Sequence, residues 1–212
     1  MSTGMDFRAP TAAPADPPMT ERQLAALLQA RRTVLPKRLG APGPGRHDLE
    51  RILGAAAAAP DHGALVPWRF VIVPLTQRER LAQVFVQSLL QRDSAATPEQ
   101  CGQAREKAFR APVLMLAVVQ LGVDDAPIPA TDRIVSAGCA IQNMLLTATA
   151  LGFGSALTTG KALQSPGLRA LFSLGEHEQP LCFVSFGSVT SAKAGGPRPT
   201  LERYVSELAE AP

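Results

Sequence analysis

The chain has 212 residues, 46% of them hydrophobic and 18% charged, which is enough for one domain with a sizeable core. The formal net charge of +3 is only mildly basic and the arginines are scattered, so the composition disfavours a nucleic-acid-binding protein. Three widely spaced cysteines form no metal-ligand or disulfide pattern, so we expect buried thiols in a reducing cytoplasm and no metal site. The longest apolar runs have strand length and predict no membrane span.

The first third of the chain predicts an arm, two helices and a strand. Residues 1–19 are rich in Pro and Ala and predict a disordered N-terminal arm rather than a secretory signal. Helical patterning begins at Thr20, a candidate N-cap, and stops before a loop rich in Pro and Gly. Residues 47–59 predict a second helix, which Pro60 ends. The β-branched run at residues 69–74 has the length of a strand.

Helical and strand-sized segments alternate in the rest of the chain. Helical sequence returns at residues 77–91 and 98–109, and the continuously apolar run at 112–120 predicts a strand covered on both faces. Residues 131–152 are almost entirely apolar and predict a central buried helix with Gly152 as its C-cap. Three shorter elements follow, a strand at 153–160, a helix at 165–175 and a strand at 180–187.

The C-terminal tail carries an apolar stripe, and little of the predicted domain is left for this stripe to cover. Its members are Leu201, Tyr204, Val205 and Leu208. The chain contains no internal repeat and no linker between two cores. These patterns predict a single α/β or α+β domain at residues 20–212, with the tail as a C-terminal extension.

The sequence offers no self-sufficient catalytic set. It contains no nucleophile elbow, phosphate loop or dinucleotide fingerprint, and no acid pair with hydrolase spacing. A folded protein without such groups either only binds a ligand or takes its chemistry from a cofactor. Three segments could combine on a cofactor: "ARRTVLPKR", "APDHGALVPW" and "ALTTGKA". Each alone is more often a solvated helix end, a surface histidine or an ordinary turn.

Taken together and in this order, the segments resemble the FMN-dependent nitroreductase superfamily, in particular its short bacterial branch. "QARRTV" is similar to the opening arginine segment of the family, and "ILGAAAAAPDHGALVPWRFVIV" to its Pro-Trp block. "FRAPVLMLAVV" is similar to the start of its central strand, and "SAGCAIQNMLLTATALGFGSALTTG" to its central helix and flavin-edge turn. "FGSVTSAK" resembles the end of its late strand. The resemblance covers approximately residues 20–200.

The resemblance implies a set of FMN-binding side chains. Arg31 and Thr33 are expected at the FMN phosphate or ribityl chain, and Arg32 at the pyrimidine side or the phosphate. His62 is expected against the flavin or its phosphate, and Lys193 is expected to complete the phosphate cage.

A second implied set lies at the flavin ring. Backbone groups of Leu157, Thr158 and Thr159 are expected there, with the amide of Thr159 near N5. The sequence also departs from the family pattern. Leu157-Thr158 replaces a Trp-Arg pair, and Val66 stands where the family has a glutamine before Pro-Trp. We expect these departures to affect the range of substrates more than flavin binding.

The family fold is a three-layer α+β sandwich, with a mostly antiparallel sheet between helices, in an intertwined homodimer that holds FMN at its interface. The resemblance implies a ping-pong oxidoreductase that takes hydride from NAD(P)H at flavin N5 and reduces a nitroaromatic, quinone or similar acceptor. No protein side chain is expected to be catalytic, because the chemistry lies on FMN. Two alternatives stay open: a flavin-binding protein without nitroreductase turnover, and a regulatory module for a small anion.

Overall fold

The computed structural model describes residues 19–122, 127–191 and 195–208. In chain order, its α-helices and strands are α1 Glu21–Ala30, β1 Leu39–Gly40, α2 Arg46–Gly54, β2 Trp68–Ile72, α3 Arg78–Arg92, α4 Pro98–Glu106, β3 Val113–Gln120, α5 Ala130–Ala150, β4 Gly154–Thr158, α6 Pro166–Leu171 and β5 Glu178–Val189. Every predicted element is present, and only the two-residue β1 was expected to be loop. The predicted N-terminal arm lies outside the described residues except for Met19.

Local sequence signals set several of the helix ends. The Thr20 side chain accepts a hydrogen bond from the Gln23 amide, and the Gln23 side chain reaches back to the Thr20 amide, which completes a capping box at α1. Ser165 caps α6 through the Leu168 amide. Gly152 follows α5 with φ of +84°, a conformation that favours glycine and ends the helix as predicted.

The sheet is antiparallel and centred on β5. One edge of β5 pairs with β3, which in turn pairs with β2. β5 also pairs with β4 and, near its end, with β1. A bulge near Leu181 places it and Cys182 on the same face, where both pack against the same core cluster.

The two faces of the sheet carry separate hydrophobic cores. Leu114, Leu116 and Val118 of β3 pack in a cluster with residues from α3, α4 and α6. Met115 and Ala117 point to the opposite face and pack in a cluster with residues from α2 and α5. The alternation follows from the two-residue period of a strand. The fold is therefore an α+β three-layer sandwich, as predicted.

The long helix α5 is not buried on every side in the single chain. Its inner face supplies Ala137, Ala140 and Met144 to the core, all fully buried. Its outer face exposes Ile134 and Val135, the latter to 64%. The predicted central burial therefore holds for one face only. The apolar tail residues Leu201, Tyr204, Val205 and Leu208 are also exposed. None of the helices in the described ranges is long and apolar enough to cross a membrane.

Candidate functional site

Three arginines from the two ends of the chain converge at the end of α1. Arg31 is the C-cap residue of this helix and Arg32 follows it. Arg198 donates from Nη2 to the carbonyl oxygens of Leu28, at 3.1 Å, and Arg31, at 2.8 Å. These bonds satisfy carbonyl groups that a helix leaves open at its C-terminus. We call Arg31, Arg32 and Arg198 the arginine cluster.

A second contact attaches the C-terminal segment to the arginine cluster. Arg32 donates from Nη1 to the carbonyl oxygen of Gly196 at 2.9 Å. A Cβ atom at Gly195 would lie 2.8 Å from the same Nη1, so the backbone approaches the guanidinium more closely than a side chain would allow. The chain therefore passes closely over Arg32 on its way to Arg198.

The arginine cluster carries uncompensated positive charge. Partial burial lowers the pKa of Arg31, and the nearby charges of Arg198 and Arg32 lower it further. Among the described residues, no ion pair joins any of the three arginines to a carboxylate. A bound anion would relieve this repulsion and form charge-assisted hydrogen bonds with the guanidinium groups.

Backbone pairing places Thr33 beside β4. Thr33 forms an isolated parallel bridge with Ser155, and the Val34 amide donates to the Ser155 carbonyl oxygen at 2.9 Å. Leu157 lies two residues further along the same strand, about 7 Å away at the rise of a strand. The structure therefore brings the predicted residues Arg31, Arg32 and Thr33 to the strand that carries the predicted flavin-ring residues.

The end of β4 opens into a cavity of about 670 Å³, which we call the basic cavity. Thr158 and Thr159 line it, whereas the neighbouring Leu157 side chain does not. Its apolar lining includes Phe85, Leu89, Leu114, Leu163 and Phe183. Within the described part of the chain, the charged residues that line it are all cationic: Lys37, Arg92, Lys107, Arg110 and Lys161. Size and lining suit a flat aromatic molecule with a polar edge.

The predicted site residue His62 lies elsewhere, at the first turn of α5. Its Nδ1 is 3.1 Å from Oδ2 of Asp132, and both side chains are substantially exposed. The loop around it is strained, because Ala64 and Val66 have φ of +53° and +47°. Oδ2 of Asp61 accepts a hydrogen bond from the Val66 amide at 2.7 Å and holds the loop in this shape.

A smaller cavity of about 290 Å³ lies behind this loop. Asp61, Val66 and Trp68 line it together with apolar residues of α2 and β2. Oδ1 of Asp61 is buried without a hydrogen-bond partner among the described residues. Trp68 packs against the core on the α2 and α5 side of the sheet, as the sequence predicted.

The His62 loop and the arginine cluster lie towards opposite ends of α5. Asp132 is in its first turn, whereas Ser155 follows its C-terminus. The helix has 21 residues and is therefore about 31 Å long. The single chain thus brings the predicted arginine, threonine and β4 residues together but does not bring His62 to them.

Two further basic residues belong to the C-terminal part of the sequence, Lys193 and Arg198. Lys193 lies outside the described residues, so its predicted role at the phosphate stays a prediction. Arg198 was missed by the sequence reasoning, although it is the next basic residue after Lys193, in the segment "GGPRPT". Its position became apparent only from its contacts with α1. Within the described part of the chain, no group of His, Cys, Asp and Glu side chains could hold a metal ion.

Comparisons with known proteins agree with this architecture. Residues 18–188 match the Nitroreductase family. The Escherichia coli K12 protein named "Putative NAD(P)H nitroreductase YdjA" is 33% identical over 151 residues, which cover 71% of this chain and 81% of that protein.

Solved structures share the fold at lower sequence identity. A nitroreductase-like family protein from Bacillus cereus has a TM-score of 0.76 at 18% identity, covering 92% of this chain and 99% of its own. A nitroreductase with bound FMN from Bacteroides fragilis has a TM-score of 0.65 at 20% identity, covering 90% and 100% of the two chains. The match to the family over most of the sequence confirms the resemblance, and the chain belongs to the nitroreductase family of oxidoreductase enzymes.

Proposed function

We propose that this chain is an FMN-dependent oxidoreductase that uses NAD(P)H to reduce nitroaromatic, quinone or related acceptors. The observation that carries the proposal is the arginine cluster beside Thr33, next to the strand that opens into the basic cavity. The Escherichia coli relative is named "Putative NAD(P)H nitroreductase YdjA", and the Bacteroides fragilis structure holds FMN. The first name supports NAD(P)H as the reductant here, and the second supports FMN as the cofactor.

The residues present fit an FMN phosphate. The guanidinium groups of Arg31 and Arg32 lie together without a carboxylate partner in the described ranges, and the pKa of Arg31 is lowered by burial and by neighbouring cations. A phosphate dianion would supply the missing charge and accept bidentate hydrogen bonds. The exposed Thr33 hydroxyl is a further donor next to the cluster.

The remaining parts of the flavin would have suitable neighbours at the end of β4. Thr158 and Thr159 would face the ring with their backbone groups, and the Thr159 amide is our candidate donor to N5. When bound, FMN supplies the hydride chemistry of a ping-pong cycle, first with NAD(P)H and then with the acceptor. The protein binds and orients both reactants, and its apolar cavity wall excludes water from the reacting edge.

We further propose that the active form is a homodimer with FMN at its interface. His62 lies towards the opposite end of α5 from the arginine cluster, so the single chain does not bring the two together. A second copy related by a two-fold axis would bring its own His62 loop to the cluster. Such an interface would bury the exposed Ile134 and Val135 on α5 and the apolar tail.

The decisive experiment combines a spectrum with a turnover assay. Protein purified without added cofactor should be yellow, and heating should release FMN rather than FAD. Steady-state NAD(P)H oxidation that depends on an added nitroaromatic or quinone would support the enzyme. A yellow protein without acceptor-dependent turnover would instead be a flavin-binding protein. A colourless protein that takes up no FMN would leave the small-anion module as the surviving alternative.

A further inference from the structure

The basic cavity is charged in a way that FMN binding at the arginine cluster does not require. Five cations line it, namely Lys37, Arg92, Lys107, Arg110 and Lys161, and no carboxylate among the described residues does. The one ion pair recorded for these five in the described residues joins Arg110 to Glu106 at 3.8 Å, and Glu106 is not in the lining. Several unpaired cations around one concave surface create a positive potential that attracts anions.

A buried hydroxyl in the wall of the basic cavity also lacks a partner. Ser185 is 1% exposed, lines the cavity, and its Oγ has no hydrogen-bond partner among the described residues. Ser185 stands two residues after Phe183 on β5, so both side chains point to the same face of the sheet. Because an unsatisfied buried hydroxyl costs free energy, a ligand atom that accepts its hydrogen bond would be stabilised there.

The rest of the lining is suited to an aromatic ring. Phe85, Leu114 and Phe183 belong to the core cluster beneath the cavity, and Leu89 packs against it. An aromatic molecule can therefore rest on apolar side chains while an acidic substituent points to the cations. Thr158 and Thr159 place this surface beside the proposed flavin position.

We propose that the preferred electron acceptor is an aromatic compound that carries a carboxylate or a comparable acid group, bound in the basic cavity. This inference rests on the proposed function. With para-nitrobenzoate as the probe, one turnover transfers hydride from NAD(P)H by way of the flavin. It consumes one proton, breaks one N–O bond, releases water and leaves para-nitrosobenzoate and NAD(P)⁺.

The first test compares the anionic probe with a neutral molecule of the same shape. We expect kcat/KM for para-nitrobenzoate to exceed that for para-nitrobenzamide by about tenfold or more at low salt, and the ratio to fall as salt is added. The double variant Arg92→Gln with Lys107→Gln keeps most of each aliphatic stem but removes two charges. It should move the ratio towards one.

Arg80→Gln is the matched control. Arg80 lies on the same helix as Arg92, is exposed, and does not line the basic cavity. Its substitution removes the same charge from α3 and should leave the ratio unchanged. Bound FMN per chain is measured in every variant. If the double variant loses FMN, the cavity cations hold the cofactor and the inference is wrong.

Ser185→Ala distinguishes a ligand-binding role of this hydroxyl from a structural role. The variant removes an unsatisfied buried hydroxyl, so its thermal unfolding temperature should stay the same or rise. Its KM for para-nitrobenzoate should still increase, by about three- to tenfold. A lowered unfolding temperature with an unchanged KM would contradict a ligand-binding role for this hydroxyl.

The remaining outcomes separate this inference from the proposed function. An active flavoprotein that treats both probes alike would overturn the acidic acceptor and keep the oxidoreductase. If KM rises in the variants for NADPH but not for NADH or the acceptor, the cations bind the dinucleotide phosphate. That result would also overturn the acidic acceptor. If no turnover occurs, calorimetric titration with para-nitrobenzoate still tests whether the basic cavity binds this anion. A specific site would lose binding in the double variant and keep it in Arg80→Gln, and any other result would overturn the inference.

Discussion

The imidazole Nδ1 of His62 lies 3.1 Å from Oδ2 of Asp132, which joins the loop after Pro60 to the first turn of α5. A methyl-sized addition at Gly63 would meet Ile128 at 2.7 Å, so the loop also lies close to the chain that leads into this helix. His62 is thereby fixed to the half of α5 that exposes Val135. In the proposed dimer, the predicted contact of His62 with flavin would therefore come from the second subunit.

Val135→Glu tests that dependence. Val135 is 64% exposed in the single chain, and a carboxylate buried in an apolar interface without a partner is strongly unfavourable. We expect the variant to shift the proposed dimer towards monomer and to lose FMN with it, as measured by light scattering and flavin absorbance. Leu75→Glu, at a residue that is 74% exposed and distant in sequence from α5, is the control. Dimeric Val135→Glu protein would refute this interface.

Deletion of the tail from Pro199 onward tests the second apolar surface. The truncated chain keeps Arg198 but lacks Leu201, Tyr204 and Val205, all of which are exposed in the single chain. Because their burial would contribute about 25 cal/mol per Å², we expect weaker association and poorer flavin retention. Analytical ultracentrifugation of full-length and truncated protein measures the first effect. Equal association of the two proteins would show that the tail has no part in the interface.

Arg31→Ala tests the phosphate site. A charge-assisted hydrogen bond to phosphate contributes about 1.5–3 kcal/mol, so FMN affinity should fall by roughly ten- to a hundredfold. The apoprotein should stay folded, because α1 contains no buried residue. Arg22→Ala, at an exposed position of the same helix, should bind FMN normally. Fluorescence titration gives both affinities, and an unchanged Kd in Arg31→Ala would exclude the proposed role.

Arg78→Met tests how much a buried arginine contributes to the stability of the fold. Arg78 is 1% exposed and donates to the carbonyl oxygens of Val73, Ala108, Ala111 and Pro112, which joins the end of β2 to the connection between α4 and β3. Burial lowers its pKa. The substitution leaves several buried carbonyl groups without donors, so we expect about 3–5 kcal/mol of destabilisation in urea unfolding.

The control for Arg78→Met is Arg80→Met. Arg80 is exposed and its recorded hydrogen bond is a local one to Gln77. Its loss should change the free energy of unfolding by less than about 0.5 kcal/mol. A similar small effect in Arg78→Met would mean that water replaces the guanidinium at all four carbonyl groups.

The Arg69–Glu178 pair predicts a pH dependence of stability. Arg69 donates to both carboxylate oxygens of Glu178, and this hydrogen bonding lowers the pKa of Glu178 below its ordinary value of 4.5. The stabilisation is therefore fully present above pH 4.5 and is lost as the pH falls through the lowered pKa. Urea unfolding of Glu178→Gln should lack this acid-dependent part, with Glu176→Gln as the control. If the stability of Glu178→Gln depended on pH in the same way as that of the unchanged protein, the Arg69–Glu178 pair would not be the source of this dependence.

The sequence was sufficient to predict elements whose signals are local. Thr20 and Ser165 are caps, and Gly152 adopts a positive φ two residues after the end of α5. The apolar β3 was recognisable because helices cover both of its faces. In contrast, β1 has two residues, and its pairing with Val189 depends on a strand 150 positions away, so no local pattern indicated it.

The candidate site was predictable only in part for the same reason. Arg31 and Thr33 belong to one short segment whose pattern is readable. Arg198 acts through hydrogen bonds to a helix formed 167 positions earlier, and its own neighbours in the sequence give no sign of them. The basic cavity combines cations from four separate segments, so its charge becomes apparent only after folding.

The hydrogen bonds from Arg198 to the end of α1 also determine when the site can form during synthesis. α1 has ten residues and buries none of them, and so short a helix has little stability by itself. The carbonyl oxygens of Leu28 and Arg31 receive the Arg198 guanidinium only after the 167 positions from Arg31 to Arg198 have been synthesised and have left the ribosome. The end of α1 is thus completed by a residue 167 positions after Arg31. Nascent chains that stop before Arg198 should therefore emerge without a finished phosphate site.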